Sequence, residues 1–374
     1  MLIIALLIAT IVPLIFLYVI YKLDLYGTGS FRIVLACFVW GMVAFALAYF
    51  INTTARSAGL ISLDTLRQYF APVAEEILKA LILIYLVRRP NFTYFVDGAI
   101  YGFAIGVGFA IVENYSYVLG NTTSMLGVAI GRVLSTNLMH ASASALIGIA
   151  VGYARFHRSW RLLLSLLAGL LLALALHIGF NNLVTRVSSG LLLLYAAVVG
   201  FGSAGFIALA IRRGLAEEKT WIEETLGEAD RVTKGEAAVV NRITDMREIL
   251  APLAKRFGPE KATQIERFLM LQARLGILRK TLEKLQDEKM VKAVEVQMGD
   301  LRREMDEARR SVGTYCMLYL RQIFPEESSP LWGSLESAIQ EKIAARPASG
   351  GANLWSNLSQ RTASTSTTEE KDGG

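Results

Sequence analysis

Residues 71–79 read Ala71-Pro72-Val73-Ala74-Glu75-Glu76-Ile77-Leu78-Lys79, three ionisable groups inside an apolar run that extends roughly over 66–87. A run of about 20 apolar residues is long enough to cross the hydrocarbon core of a bilayer as a helix. A charge at that depth costs on the order of 3 kcal/mol or more, so ionisable residues there mark function by default. Outward from this stretch the pattern repeats. Apolar segments run over 2–21, 33–51, 66–87, 97–119, 125–154, 161–183 and 190–211. The sequence therefore predicts an all-α, polytopic membrane protein with about seven transmembrane helices. The first segment begins at Met1 without the basic n-region or small-residue cleavage site of a signal peptide, and is expected to remain as an anchor.

Composition agrees. Of 374 residues 53% are hydrophobic and 19% charged, with a mean hydropathy of +0.43, which excludes an ordinary soluble enzyme. Up to Arg212 the chain holds 13 of its 38 Lys and Arg and 6 of its 32 Asp and Glu. The remainder, from Arg213 onward, is charge-rich and nearly neutral. The basic excess sits at the ends of apolar runs, where it orients a membrane protein, so no nucleic-acid partner is expected. Cys37 and Cys316 are too few for a disulfide framework or a Cys-rich zinc site.

Lys and Arg in short connections stay on the cytoplasmic side. Lys22, Arg32, Arg88, Arg89, Arg155, Arg158, Arg161, Arg212 and Arg213 fall in one set of connections, against Arg56, Arg67 and Arg186 in the other. This predicts a plasma (inner) membrane protein with its N-terminus outside and everything after Arg213 in the cytoplasm. Three parts are expected: a transmembrane domain over 1–212, a cytoplasmic helical domain over 213–346 and a disordered, Gly/Ser/Thr-rich tail over 347–374. In the second part Ile265, Phe268, Leu269, Leu275, Leu278 and Leu282 recur at helical spacing, with breaks at Gly258-Pro259 and Pro325. These amphipathic helices are read as a hairpin that serves either as a protein-partner or self-association surface or as a solubilising appendage.

Polar residues within the spans are few. Glu75 and Glu76 lie one turn before Lys79, Glu113 lies inside a Gly-rich span away from its ends, Arg132, Asn137 and His140 lie on the fifth, and His177 and Asn181 share a face of the sixth at i,i+4. At about 1.5 Å per residue from the cytoplasmic ends, the acidic residues and both histidines reach one depth within about one and a half turns. Paired carboxylates beside histidine are what acid–base chemistry needs. A proton-coupled transporter with a Glu/His relay would use the same groups, although no inverted repeat is evident. A third reading is a non-enzymatic membrane scaffold whose cytoplasmic hairpin recruits partners, and Glu75 with Lys79 taken alone could be a structural ion pair.

Glu-Glu-x-x-Lys at 75–79, Phe-x-x-x-Glu at 109–113, His140 and His-x-x-x-Asn at 177–181, in this order on successive spans, resemble the PrsW family of intramembrane proteases, relatives of the CAAX-processing proteases. The resemblance covers about residues 60–185. It implies endoproteolysis of membrane-anchored proteins, anti-sigma factors among them, within the lipid bilayer. It also implies catalytic roles for Glu75, Glu76, Glu113, His140, His177 and Asn181, with Lys79 and Arg132 in support. In that reading Glu76 is the general base with Glu75 orienting it, His140 or Glu113 positions the water, and His177 and Asn181 donate to the oxyanion. Lys79 keeps one carboxylate ionised. The cofactor is left open: metal-free chemistry is preferred because no His-Glu-x-x-His is present, and Zn²⁺ on His140, His177 and Glu113 is the alternative.

Overall fold

The computed structural model describes residues 1–24, 26, 28–121, 123–157, 159–184, 186, 189–225, 246–285, 287–313 and 316. The expected break at Pro325 and the tail over 347–374 lie outside them. All regular structure among the described residues is helical. The elements are α1 (Leu2–Lys22), α2 (Phe31–Ser57), α3 (Leu63–Thr65), a π-helical turn (Leu66–Phe70), α4 (Ala71–Leu86), α5 (Phe95–Gly120), α6 (Met125–Leu134), α7 (Thr136–Ala154), α8 (Ser159–Val184), α9 (Ser189–Thr225), α10 (Met246–Phe257), α11 (Pro259–Lys284) and α12 (Glu288–Val312).

Five of these stretches are long and apolar enough to cross a membrane: α1, α2, α5, α6 with α7 (Met125–Ala154), and Trp160–Val184 within α8. The chain is a multi-pass membrane protein. The segment over 66–87 falls short for a physical reason: its helix is interrupted by the π turn, and Glu75, Glu76 and Lys79 crowd its centre. The fifth apolar segment also departs from a single rod, because the helix breaks at Ser135 (φ −118°, ψ −79°), whose hydroxyl donates to the Gly131 carbonyl at 2.6 Å.

Helix α5 is the axis of the bundle, buried at nearly every position from Phe95 to Ile111. Water-free association of helices relies on close backbone approach, which small residues permit. A Cβ added at Gly106 would sit 2.3 Å from the His140 carbonyl oxygen, and one added at Gly41 would sit 2.0 Å from that of Ile105. The main chains of α2 and α7 therefore press directly onto α5. Helix α1 buries a small-residue stripe, Ala5 and Ala9, and turns Ile3, Leu7, Ile11 and Ile15 outward. Helix α8 likewise leaves Leu163, Leu164, Leu167 and Leu171 exposed, as a lipid-facing surface requires.

Helix α9 is 37 residues long, about 55 Å at 1.5 Å per residue and so well beyond a ~30 Å hydrocarbon core. Its far end joins the C-terminal helices: the Thr225 hydroxyl donates to the Gly276 carbonyl at 2.9 Å, Lys280 pairs with Glu224 at 2.9 Å, and the Lys284 ammonium lies 3.8 Å from the Trp221 ring centroid. Gly258 (φ +89°) and Pro259 separate α10 from α11 as the sequence predicts. The Lys261 ammonium at the start of α11 donates to the Ser311 carbonyl near the end of α12, which makes the two antiparallel. Ile265, Phe268, Leu269, Leu275 and Leu278 are buried there against Val294, Met298, Leu301 and Met305.

Candidate active site

The site begins on α4. Pro72 in its first turn starts the helix, since a residue without an N–H costs nothing there. Three residues separate Glu76 from Lys79, close to one turn, and the Lys79 ammonium donates to Glu76 Oε1 at 2.6 Å with both side chains fully buried. The same ammonium lies 3.2 Å from His140 Nδ1 and 4.7 Å from the Phe109 ring centroid. Lysine can only donate, so His140 Nδ1 accepts and its Nε2 carries the proton. That Nε2 reaches Glu113 Oε2 at 2.8 Å.

Glu113 is held a second time, by Arg132 at 2.8 Å. The Arg132 Nε in turn donates to Asn114 Oδ1 at 2.8 Å, and its guanidinium stacks on Tyr117. On the other side, His177 Nδ1 meets Glu76 Oε1 at 2.8 Å, and its Nε2 lies 3.8 Å from Glu75 Oε2. The rings of His140 and His177 stand edge to face with centroids 4.7 Å apart. Burial grades across this set. Glu76 and Lys79 are closed off, while the side chains of Glu75, Glu113 and Arg132 are 12%, 16% and 16% exposed, so the outer carboxylates form the wet edge of a dry cluster.

Seven of the eight residues to which the resemblance gives roles thus come together: Glu75, Glu76, Lys79, Glu113, Arg132, His140 and His177. Asn181 does not join them. Its amide donates to the Arg67 carbonyl at 2.9 Å, fastening α8 to the π turn. Phe109, which underlies both Lys79 and His140, and Asn114, which orients Arg132, complete the cluster. Asn114 follows Glu113 directly, and nothing in its spacing distinguishes it.

Donor chemistry for a divalent metal is present. One atom from each of Glu75, His140 and His177 falls within 4.8 Å of the others, whereas Glu113 is engaged by Arg132 and His140. Two zinc ligands at tetrahedral angle stand about 3.4 Å apart, close to the 3.8 Å between Glu75 Oε2 and His177 Nε2. Glu75 Oε2 is buried without a hydrogen-bond partner, and His177 already holds a carboxylate on its other nitrogen, as metal-binding histidines do. Glu75 and His177 fit the group as they stand; His140, with Nδ1 on Lys79 and Nε2 on Glu113, fits it once one of those bonds is given up.

The model of the PrsW family intramembrane metalloprotease matches residues 29–211. Comparison with curated proteins and with solved structures gives no match. The matched segment spans α2 to α8 and most of the apolar part of α9, and contains every residue of the cluster. Residues 29–211 are a PrsW-family intramembrane protease domain, and the chain that carries them is a peptidase.

Proposed function

We propose that the chain cleaves membrane-anchored proteins at the Glu75–His177 edge of the buried cluster. The observation that carries this reading is the division of labour between adjacent carboxylates. Glu76 spends one oxygen on both Lys79 and His177, so it fixes the His177 ring. Both carboxylates keep one buried oxygen without a hydrogen-bond partner, but Glu76 is closed off whereas the Glu75 side chain is partly open, so Glu75 is left to take the proton of an attacking water. The geometry favours this assignment over its reverse, in which Glu76 is the base. The Arg132 guanidinium, and His177 Nε2 when that ring is doubly protonated, stand at the edge where negative charge develops on the substrate carbonyl. Asn181, occupied on Arg67, has no part in the reading. A divalent ion such as Zn²⁺ would take the same Glu75 and His177 atoms, with His140 released from Lys79 or Glu113, and when bound would supply the lowered water pKa and the polarised carbonyl in place of those two groups.

The membrane domain comprises residues 1–212 and crosses seven times, with its N-terminus outside; 213–346 form a cytoplasmic helical module and 347–374 a tail. The length of α9 and the Lys/Arg distribution support this arrangement. Anti-sigma-factor-like proteins, anchored by one span, are the substrate class of this proposal. The proton-relay transporter is not favoured, because the domain match is to peptidases.

Glu75→Gln keeps the shape of the side chain and removes the proton acceptor. In lipid-reconstituted protein, cleavage of a panel of single-span reporters is expected to fall ~10²–10⁴-fold. Parental rates in that variant, with the fold intact, would overturn the proposal.

A further inference from the structure

Away from the cluster, a cavity of about 750 Å³ opens between the turn after α4, the α7–α8 connection and the start of α12. Its polar lining is Arg88, Arg89, Arg155, His157, Lys289 and one carboxylate, Asp287. Arg155 is buried and pinned: one terminal nitrogen donates to the carbonyls of Val87 at 3.3 Å and Arg89 at 3.0 Å. Its Nε and second terminal nitrogen, equally buried, have no partner. The nearby acid, Asp97, is taken up by the Thr93 amide and the Thr28 hydroxyl. A fixed guanidinium with an unpartnered edge has two parallel N–H groups, the fork that matches a phosphate.

The cleft lies where α7 ends and α8 begins, hence at the ends of two segments long and apolar enough to cross a membrane, beside the end of α4. Trp160 and Leu163 on the first turns of α8 are exposed beside it, an interfacial aromatic followed by apolar surface. We propose that this cleft binds the phosphate of an anionic phospholipid headgroup, with the acyl chains lying along the outer face of α8. The wall contributed by Leu285, Asp287, Lys289, Met290 and Ala293 belongs to the C-terminal helices, so a lipid seated there bridges them to the membrane domain.

Native mass spectrometry of the detergent-purified full chain tests this, with phosphatidylglycerol, phosphatidylcholine and inorganic phosphate as probes. Phosphatidylglycerol is expected to be retained in preference to phosphatidylcholine. The exposed triple change R88Q/R89Q/K289Q should cut its retention by roughly 10- to 100-fold. Asp287→Asn, which keeps an N-cap for α12, should raise retention. Equal retention of the two lipids overturns the proposal, as does parental retention in the triple variant or no gain in Asp287→Asn. Displacement of phosphatidylglycerol by millimolar inorganic phosphate would place a soluble phosphate there instead, and also overturn it. The lipid preference of the parent and the Asp287→Asn gain stand even where the triple variant fails to fold.

Discussion

Replacing Lys79 by Met leaves Glu76 without its cation in a fully buried position. Breaking a buried ion pair from one side costs about 3–5 kcal/mol, because the remaining charge is uncompensated, whereas replacing both partners by apolar residues of similar volume is close to neutral. The structure sharpens the contrast. Lys79 also faces His140 Nδ1 at 3.2 Å, while Glu76 retains only His177 at 2.8 Å once the ammonium is gone. At about 2–4 °C per kcal/mol for a domain of some 200 residues, Lys79→Met should lower the thermal midpoint by on the order of 10 °C. The double variant Glu76→Leu/Lys79→Met should melt within a few degrees of the parent. Activity should not follow stability. The double variant loses the carboxylate that orients His177, and its turnover should fall at least ~10–100-fold, as when a carboxylate behind a ligating histidine is removed. Thermal unfolding in one detergent, read beside cleavage of a membrane-anchored reporter, measures both. An unchanged midpoint in Lys79→Met, or full activity in the double variant, would refute the reasoning.

Dialysis against a chelator should abolish cleavage and added Zn²⁺ should restore it, with about one ion per chain by elemental analysis of the parent and none in His177→Ala; activity indifferent to chelation would leave glutamate and histidine acting alone. Gly106→Val should destabilise by ~1–3 kcal/mol or more, because its Cβ would meet the His140 carbonyl at 2.3 Å. Gly205→Ala, whose Cβ meets nothing within 4 Å, serves as the control; equal midpoints for the two would contradict the close-packed seam. Glu218, buried in the extension of α9 beyond the apolar segment, has its carboxyl pushed well above the usual carboxylate range by burial and by Asp97, Asp24 and Glu217. An acid raised in the folded state stabilises fully below its unfolded value of about 4.3 and loses that contribution as pH rises toward the folded value, at about 1.4 kcal/mol per unit. Glu218→Gln should therefore raise the midpoint relative to the parent at pH 7 and lose that advantage near pH 4, and a pH-independent difference would exclude the titration.

The membrane character of the chain and the membership of the cluster were legible because both rest on one-dimensional signals. Long apolar runs carry no alternative in water, and an ionisable residue inside one stands out whatever its neighbours. Spacing along a helix also placed Glu76 against Lys79. What spacing does not encode is which of two adjacent carboxylates faces the interior: Glu75 and Glu76 differ by about 100° around α4, and helix packing decides that only Glu76 meets Lys79 and His177. The same limit applies to Asn181, which shares a face with His177 yet is diverted by a backbone carbonyl exposed in the π turn. Neither that turn nor the break at Ser135 leaves a glycine or proline at its centre to announce it.

Helix α4 is fastened in two different ways along its length. Toward its C-terminus Ala80, Leu83 and Leu86 are packed into the bundle, whereas toward its N-terminus the holds on its neighbours are Glu76 to His177 and Lys79 to His140, with Val73 and Ile77 facing out. Apolar packing is indifferent to protons, but these polar tethers are not. Each time the reaction moves a proton onto or off this network, it also changes the grip on one end of α4. In the proposed reaction, chemistry and the hold on α4 then share a single variable.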